Sequence, residues 1–152
     1  SEQSQFSADS AILKLKDKKL DSLYLANNVS IISQTIDSSI YDQAVGKMLE
    51  GYFQDNKLHN LLLRGNAQNL MHSFGQEELL QGINNTACSL IEITFEDGEA
   101  KSVKASQSID ASYTPWEKAS NEEKVLPNCK PNFNLRATLD ETRPKVTPSE
   151  FL

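Results

Sequence analysis

Apolar residues recur at every second position in three stretches of this chain, and each stretch is interrupted by a short polar run that begins with an aspartate. The aspartates are Asp17, Asp55 and Asp97, spaced 38 and 42 residues apart at 17, 55 and 97. Two positions before each stands Leu15, Phe53 or Phe95, and six before stands Ala11, Leu49 or Ile91. Six after stands Leu23, Leu61 or Val103, eight after Leu25, Leu63 or Ala105, and eleven after a small polar residue, Asn28, Asn66 or Ser108. Period two is the strand period, because successive side chains leave opposite faces of a strand. Asp55-Asn56 and Asp97-Gly98 suit the positive φ values of tight hairpin turns. Each unit therefore reads as strand–turn–strand, over 12–25, 48–63 and 90–105. The first unit is the most basic and reads as a terminal one. Units of this kind bury by stacking an apolar face that none can bury alone.

One stretch competes with this reading. Ile40, Tyr41, Ala44, Val45, Met48, Leu49 and Tyr52 also fit helical spacing. Gly46 and Gly51 weaken such a helix by about 1 kcal/mol each relative to alanine, and the repeat register favours a strand.

Proline and glycine divide the chain. All five prolines lie from Pro115 onward, and all six glycines lie between Gly46 and Gly98. Proline removes a ladder donor, so the repeat body is expected to end near Tyr113. This gives a body over 1–116 and a tail over 117–152, with the tail mostly irregular, carrying one short element and fraying after Lys145. No apolar run approaches the roughly 20 residues that span a bilayer, and no signal peptide is recognised. The start, Ser1-Glu2-Gln3-Ser4-Gln5, reads as a trimmed end of something longer.

The net charge of −6 argues against nucleic acid, whose binding depends on clustered Lys and Arg. The basic run over 14–19 reads as a solvated strand face. His59 and His72 are isolated in sequence and read as surface residues, with no metal site and no cofactor expected. No nucleophile elbow or phosphate-binding loop is present, so no catalytic residue is assigned and the chain is not expected to be an enzyme. Cys88 and Cys129 fit either a bridge between body and tail, suited to an oxidising compartment, or two free thiols.

Several stretches resemble a known family. Gly51-Tyr52-Phe53-Gln54-Asp55-Asn56-Lys57-Leu58 and Leu61-Leu62-Leu63-Arg64-Gly65-Asn66-Ala67-Gln68 are similar to the OstA-like proteins of Bacteroidetes, which belong with the LptA and organic-solvent-tolerance domains of lipopolysaccharide transport. The similarity runs on through Gly82-Ile83-Asn84-Asn85-Thr86-Ala87-Cys88-Ser89 and Ile93-Thr94-Phe95-Glu96-Asp97-Gly98 to Tyr113, Pro115 and Arg143-Pro144. It departs at Asn69-Leu70-Met71-His72, where the family carries aromatic residues, and across Pro127-Asn128-Cys129-Lys130-Pro131-Asn132-Phe133. The resemblance implies an all-β fold: stacked antiparallel hairpins forming a slightly twisted, V-shaped β-jellyroll with open edge strands. It also implies a periplasmic module that shields lipid acyl chains in an apolar groove and joins neighbouring modules edge to edge.

The groove candidates are the expected inward residues: Leu13, Leu15, Leu23 and Leu25 in the first unit, Leu49, Phe53, Leu61 and Leu63 in the second, and Ile91, Ile93, Phe95 and Val103 in the third. Each has a plainer reading as core, because a closed sandwich needs the same alternation. The partners expected are lipopolysaccharide or another acylated lipid and further β-jellyroll modules. The alternative is a non-enzymatic scaffold with a filled core, using the same edges and carrying no lipid.

Overall fold

The computed structural model of the chain describes residues 4–127 and 129. The expectation of fraying near the C-terminus lies outside the described residues. Those residues form an all-β fold of eight antiparallel strands in one open sheet: β1 (Ser4–Ser7), β2 (Ser10–Lys16), β3 (Lys19–Gln34), β4 (Tyr41–Gln54), β5 (Lys57–Phe74), β6 (Leu80–Glu96), β7 (Glu99–Ser106) and β8 (Asp110–Pro115). The stretch that also fits helical spacing is strand from Tyr41 onward, paired with β3 on one side and β5 on the other.

Each expected turn joins two strands through two residues of positive φ: Asp17 and Lys18, Asp55 and Asn56, Asp97 and Gly98. That pair of conformations is what a twisted two-residue hairpin requires. Successive hairpins stack in one repeated register. Leu25 faces Leu49 as Leu63 faces Ile91, and Leu23 faces Gly51 as Leu61 faces Ile93. The turns are linked the same way, Lys19 Nζ lying 3.6 Å from Asp55 Oδ1 and Lys57 Nζ 3.5 Å from Asp97 Oδ1. These pairs are exposed and contribute little energy; they repeat the register at the tips. The Leu20 N–H also donates to Asn56 Oδ1 at 2.8 Å.

A second set of positive-φ pairs lies farther from the turns: Asn27 and Asn28 in β3, Gly65 and Asn66 in β5, Gln107 and Ser108 between β7 and β8. The registers shift at the first two of these. Extra residues of this kind bend a sheet, and aligned across it they form a crease. On the turn side, which we call the tip half, β2 pairs with β3 and β7 with β6. On the other side, the far half, β1 pairs with β3 and β8 with β6.

The inner core gathers residues of both halves. Leu25, Leu49, Leu61, Leu63 and Ile91 come from the tip half, and Val29, Ile31, Ala44, Ala67 and Cys88 from the far half. At Gly46 the backbone passes so close to Leu63 that a Cβ there would lie 2.8 Å from Leu63 Cγ. A second cluster packs on the outer face of the far half: Ile32, Leu70 and Ile83 beneath Leu126 and Cys129, with Trp116 alongside. Gln43 fastens this segment, its Nε2 donating to the Lys124 carbonyl at 3.2 Å and its Oε1 accepting from the Leu126 N–H at 2.8 Å. The Lys124 ammonium lies 3.9 Å from the centre of the Trp116 ring.

Candidate functional site

A groove of about 410 Å³ opens between the two half-sheets. Leu58 and Leu61 of β5, Ile93 and Phe95 of β6 and Val103 of β7 line its tip-half wall. Phe6 of β1, Ser33 and Ile31 of β3, Ala44 of β4 and Asn69 and Met71 of β5 line its far-half wall. The crease brings these walls together, because it lets one strand such as β5 contribute Leu61 to one and Asn69 to the other. A recess of about 280 Å³ adjoins the groove and shares Asn69, Met71, His72 and Val103 with it.

The twelve sequence candidates divide by their place in the stack. Leu61, Ile93, Phe95 and Val103 line the groove, Leu61 being at the same time part of the buried core. Leu25, Leu49, Leu63 and Ile91 are buried core, with Leu23 packed against them. Phe53 is half-buried and lines none of the concavities described. Leu13 and Leu15 depart from expectation: they are 54% and 65% exposed. The reason is their position on β2, an edge strand whose residues are all exposed because it has a neighbour on one side only. The structure adds Phe6, Ile31, Ala44, Leu58 and Met71, which the sequence reading did not single out.

His72 also departs from expectation. Its side chain is only 2% exposed, so it is not a surface residue. Asp42 Oδ1 accepts from its backbone N–H at 2.8 Å and lies 3.0 Å from its Nδ1, and Trp116 meets the ring edge-on at 5.8 Å between centroids. The other histidine, His59, is exposed. Cys88 and Cys129 are both free. Of the two readings left open by the sequence, the structure has the free thiols, because Cys88 sits in the inner core, whereas Cys129 packs on the outer face of the far half. Burial pushes the Cys129 thiol up to about 11.

The outer face of the tip half carries a polar network. Tyr52 donates its hydroxyl to Glu50 Oε2 at 2.9 Å, Arg64 Nε lies 3.5 Å from Glu50 Oε1, and Asn60 donates to Glu92 at 3.1 Å. The hydrogen bond to Glu50 raises Tyr52 to about 12. Among the described residues no group of three or more His, Cys, Asp or Glu is placed to hold a metal ion, and no helix is long and apolar enough to cross a membrane. No protein-family model, curated protein or solved structure matches the chain.

Proposed function

We propose that this chain is a lipid-binding transport module of the LptA type, working in the bacterial periplasm, that shields acyl chains in its groove and joins neighbouring modules edge to edge. The observation that carries the reading is the groove itself. It opens between two sheet halves, has a wall of Leu58, Leu61, Ile93, Phe95 and Val103, and falls within the roughly 300–1,000 Å³ of small-ligand sites. Burying an acyl chain against that wall is worth about 0.8 kcal/mol per CH₂.

The free edges support the second half of the proposal. Unpaired strand edges are templates for strand addition. The register that joins β3 to β4 also joins β5 to β6. Continued once more, it sets Val103 of one module opposite Leu13 of the next. Both are exposed apolar residues in the isolated chain.

The alternative, a scaffold with a filled core, is favoured by one observation: the centre of the stack is already closed by Leu49, Leu61, Leu63 and Ile91, each at 2% exposure or less. A bulky residue at the groove rim separates the two. Val103→Trp narrows the groove at a position already 40% exposed and is expected to weaken binding of a fluorescently labelled acyl lipid at an unchanged melting temperature. Lys104→Trp, on the opposite face of the same strand, leaves binding intact. Absence of binding by the folded parent favours the scaffold, and equal binding by the parent and both variants counts against the groove.

A further inference from the structure

The groove has walls of different chemistry and a conspicuous lack of positive charge. Among the described residues lining it there is no lysine or arginine. Its only formally charged residue is Asp42, and that carboxylate is engaged by His72. A phosphate held inside would give up water without finding a cation, a transfer that apolar surroundings oppose strongly.

Among the groove's polar lining residues, Asn69 stands where the groove meets the recess. Asn69 is 8% exposed and lines both the groove and the adjoining recess. No side-chain hydrogen bond to its carboxamide occurs among the described residues, and its polar atoms are not sealed from the space, the enclosed side-chain polar atom without a partner among those residues being Asn60 Oδ1. An open carboxamide offers both donors and an acceptor. Its backbone neighbour across the sheet, Thr86, lines the same recess. Across the groove stand Leu61, Ile93, Phe95 and Val103.

We propose that the groove selects an uncharged amphiphile. Its hydrocarbon chain packs on the tip-half wall, and a hydroxyl or amide group near the head of that chain hydrogen-bonds to Asn69. This narrows the cargo and rests on the reading that the groove holds acyl chains. A site built around a hydrogen-bonding group rejects ligands that leave that group unpaired, so Asn69 supplies selection as well as affinity.

Two lipids with the same chain isolate the claim: monooleoylglycerol, and oleoyl lysophosphatidate, which adds a phosphate. Each displaces Nile red from the full chain, below its critical micelle concentration. Monooleoylglycerol is expected to bind at least about tenfold tighter. Asn69→Leu, close in shape, is expected to weaken monooleoylglycerol about fivefold without lowering the melting temperature. Val103→Lys, which places a cation at the rim, is expected to narrow the gap between the two lipids. Equal or tighter binding of the phosphate ester overturns the proposal and leaves lipid carriage standing, whereas no displacement by either lipid overturns both. Unchanged monooleoylglycerol binding by Asn69→Leu removes Asn69 from the account.

Discussion

Leu61 and Val103 occupy the same place in the repeat, six residues after their turn aspartates, yet differ in exposure: 2% against 40%. The difference arises because β5 has neighbours on both sides, whereas β7 pairs with β6 alone. Truncating each to alanine measures what stacking is worth. Leu61→Ala removes three carbons from a closed site. At about 0.8 kcal/mol per carbon the transfer loss is about 2.4 kcal/mol, and the remaining cavity raises it to about 3–4 kcal/mol. Val103→Ala removes two carbons from a site that is already partly wet, and scaling by the buried share gives about 1 kcal/mol. In a domain of this size each kcal/mol shifts the melting temperature by about 2–4 °C. Calorimetry should therefore show a loss of about 6–16 °C for Leu61→Ala and about 2–4 °C for Val103→Ala. Equal losses would mean that β7 is covered in solution or that the core does not centre on β5.

Three further outcomes are expected. Gln43→Ala leaves the Lys124 carbonyl and the Leu126 N–H without partners, which costs about 1–3 kcal/mol; a lower urea midpoint with faster proteolysis between 120 and 127 checks it, and an unchanged midpoint counts against the docked segment. Tyr52 is held protonated to about 12 by Glu50, so its contribution to stability is complete below the ordinary tyrosine range, near 10, and is lost as pH rises from there through about 12. Ultraviolet titration should show one late tyrosine that returns to the ordinary range in Glu50→Gln. The Cys129 thiol, raised by burial to about 11, stays protonated at neutral pH; since the fold favours its protonated form, its contribution falls as pH rises from the ordinary thiol range, about 8.5, through about 11. Alkylation with iodoacetamide at pH 8 should be slow until urea unfolds the chain, and rapid native labelling contradicts that burial.

The hairpins were legible because their information is local. Asp-Asn and Asp-Gly announce turns, and period two announces strands, so the three units and the all-β fold follow from residue spacing. The crease was half legible. Asn28, Asn66 and Ser108 stand out in the repeat as small polar residues, but the bend depends on each forming a positive-φ pair with the residue before it. Past the crease the alternation continues, with Val29 and Ile31 matching Ala67 and Asn69 in register. Carrying the period past the small polar residues would have reached the far-half wall. Burial was less legible, because it belongs to the stack and not to the unit: Leu13 and Leu61 look alike in sequence and differ only in what lies beside them. His72 shows the same limit, since its cover comes from Trp116 and Asp42, 44 and 30 residues away along the chain.

The proposed function stands or falls on whether acyl chains enter the groove between the half-sheets. Photo-crosslinking tests it most directly, with a benzophenone amino acid at Val103, which lines the groove, or at Lys104, the next residue on the opposite face of β7. Each variant is irradiated with purified lipopolysaccharide and, separately, with a monoacylglycerol. Adducts with at least one of these lipids are expected at 103 and none at 104. Equal labelling at both positions, or none at 103 with either lipid while the protein remains folded, contradicts it.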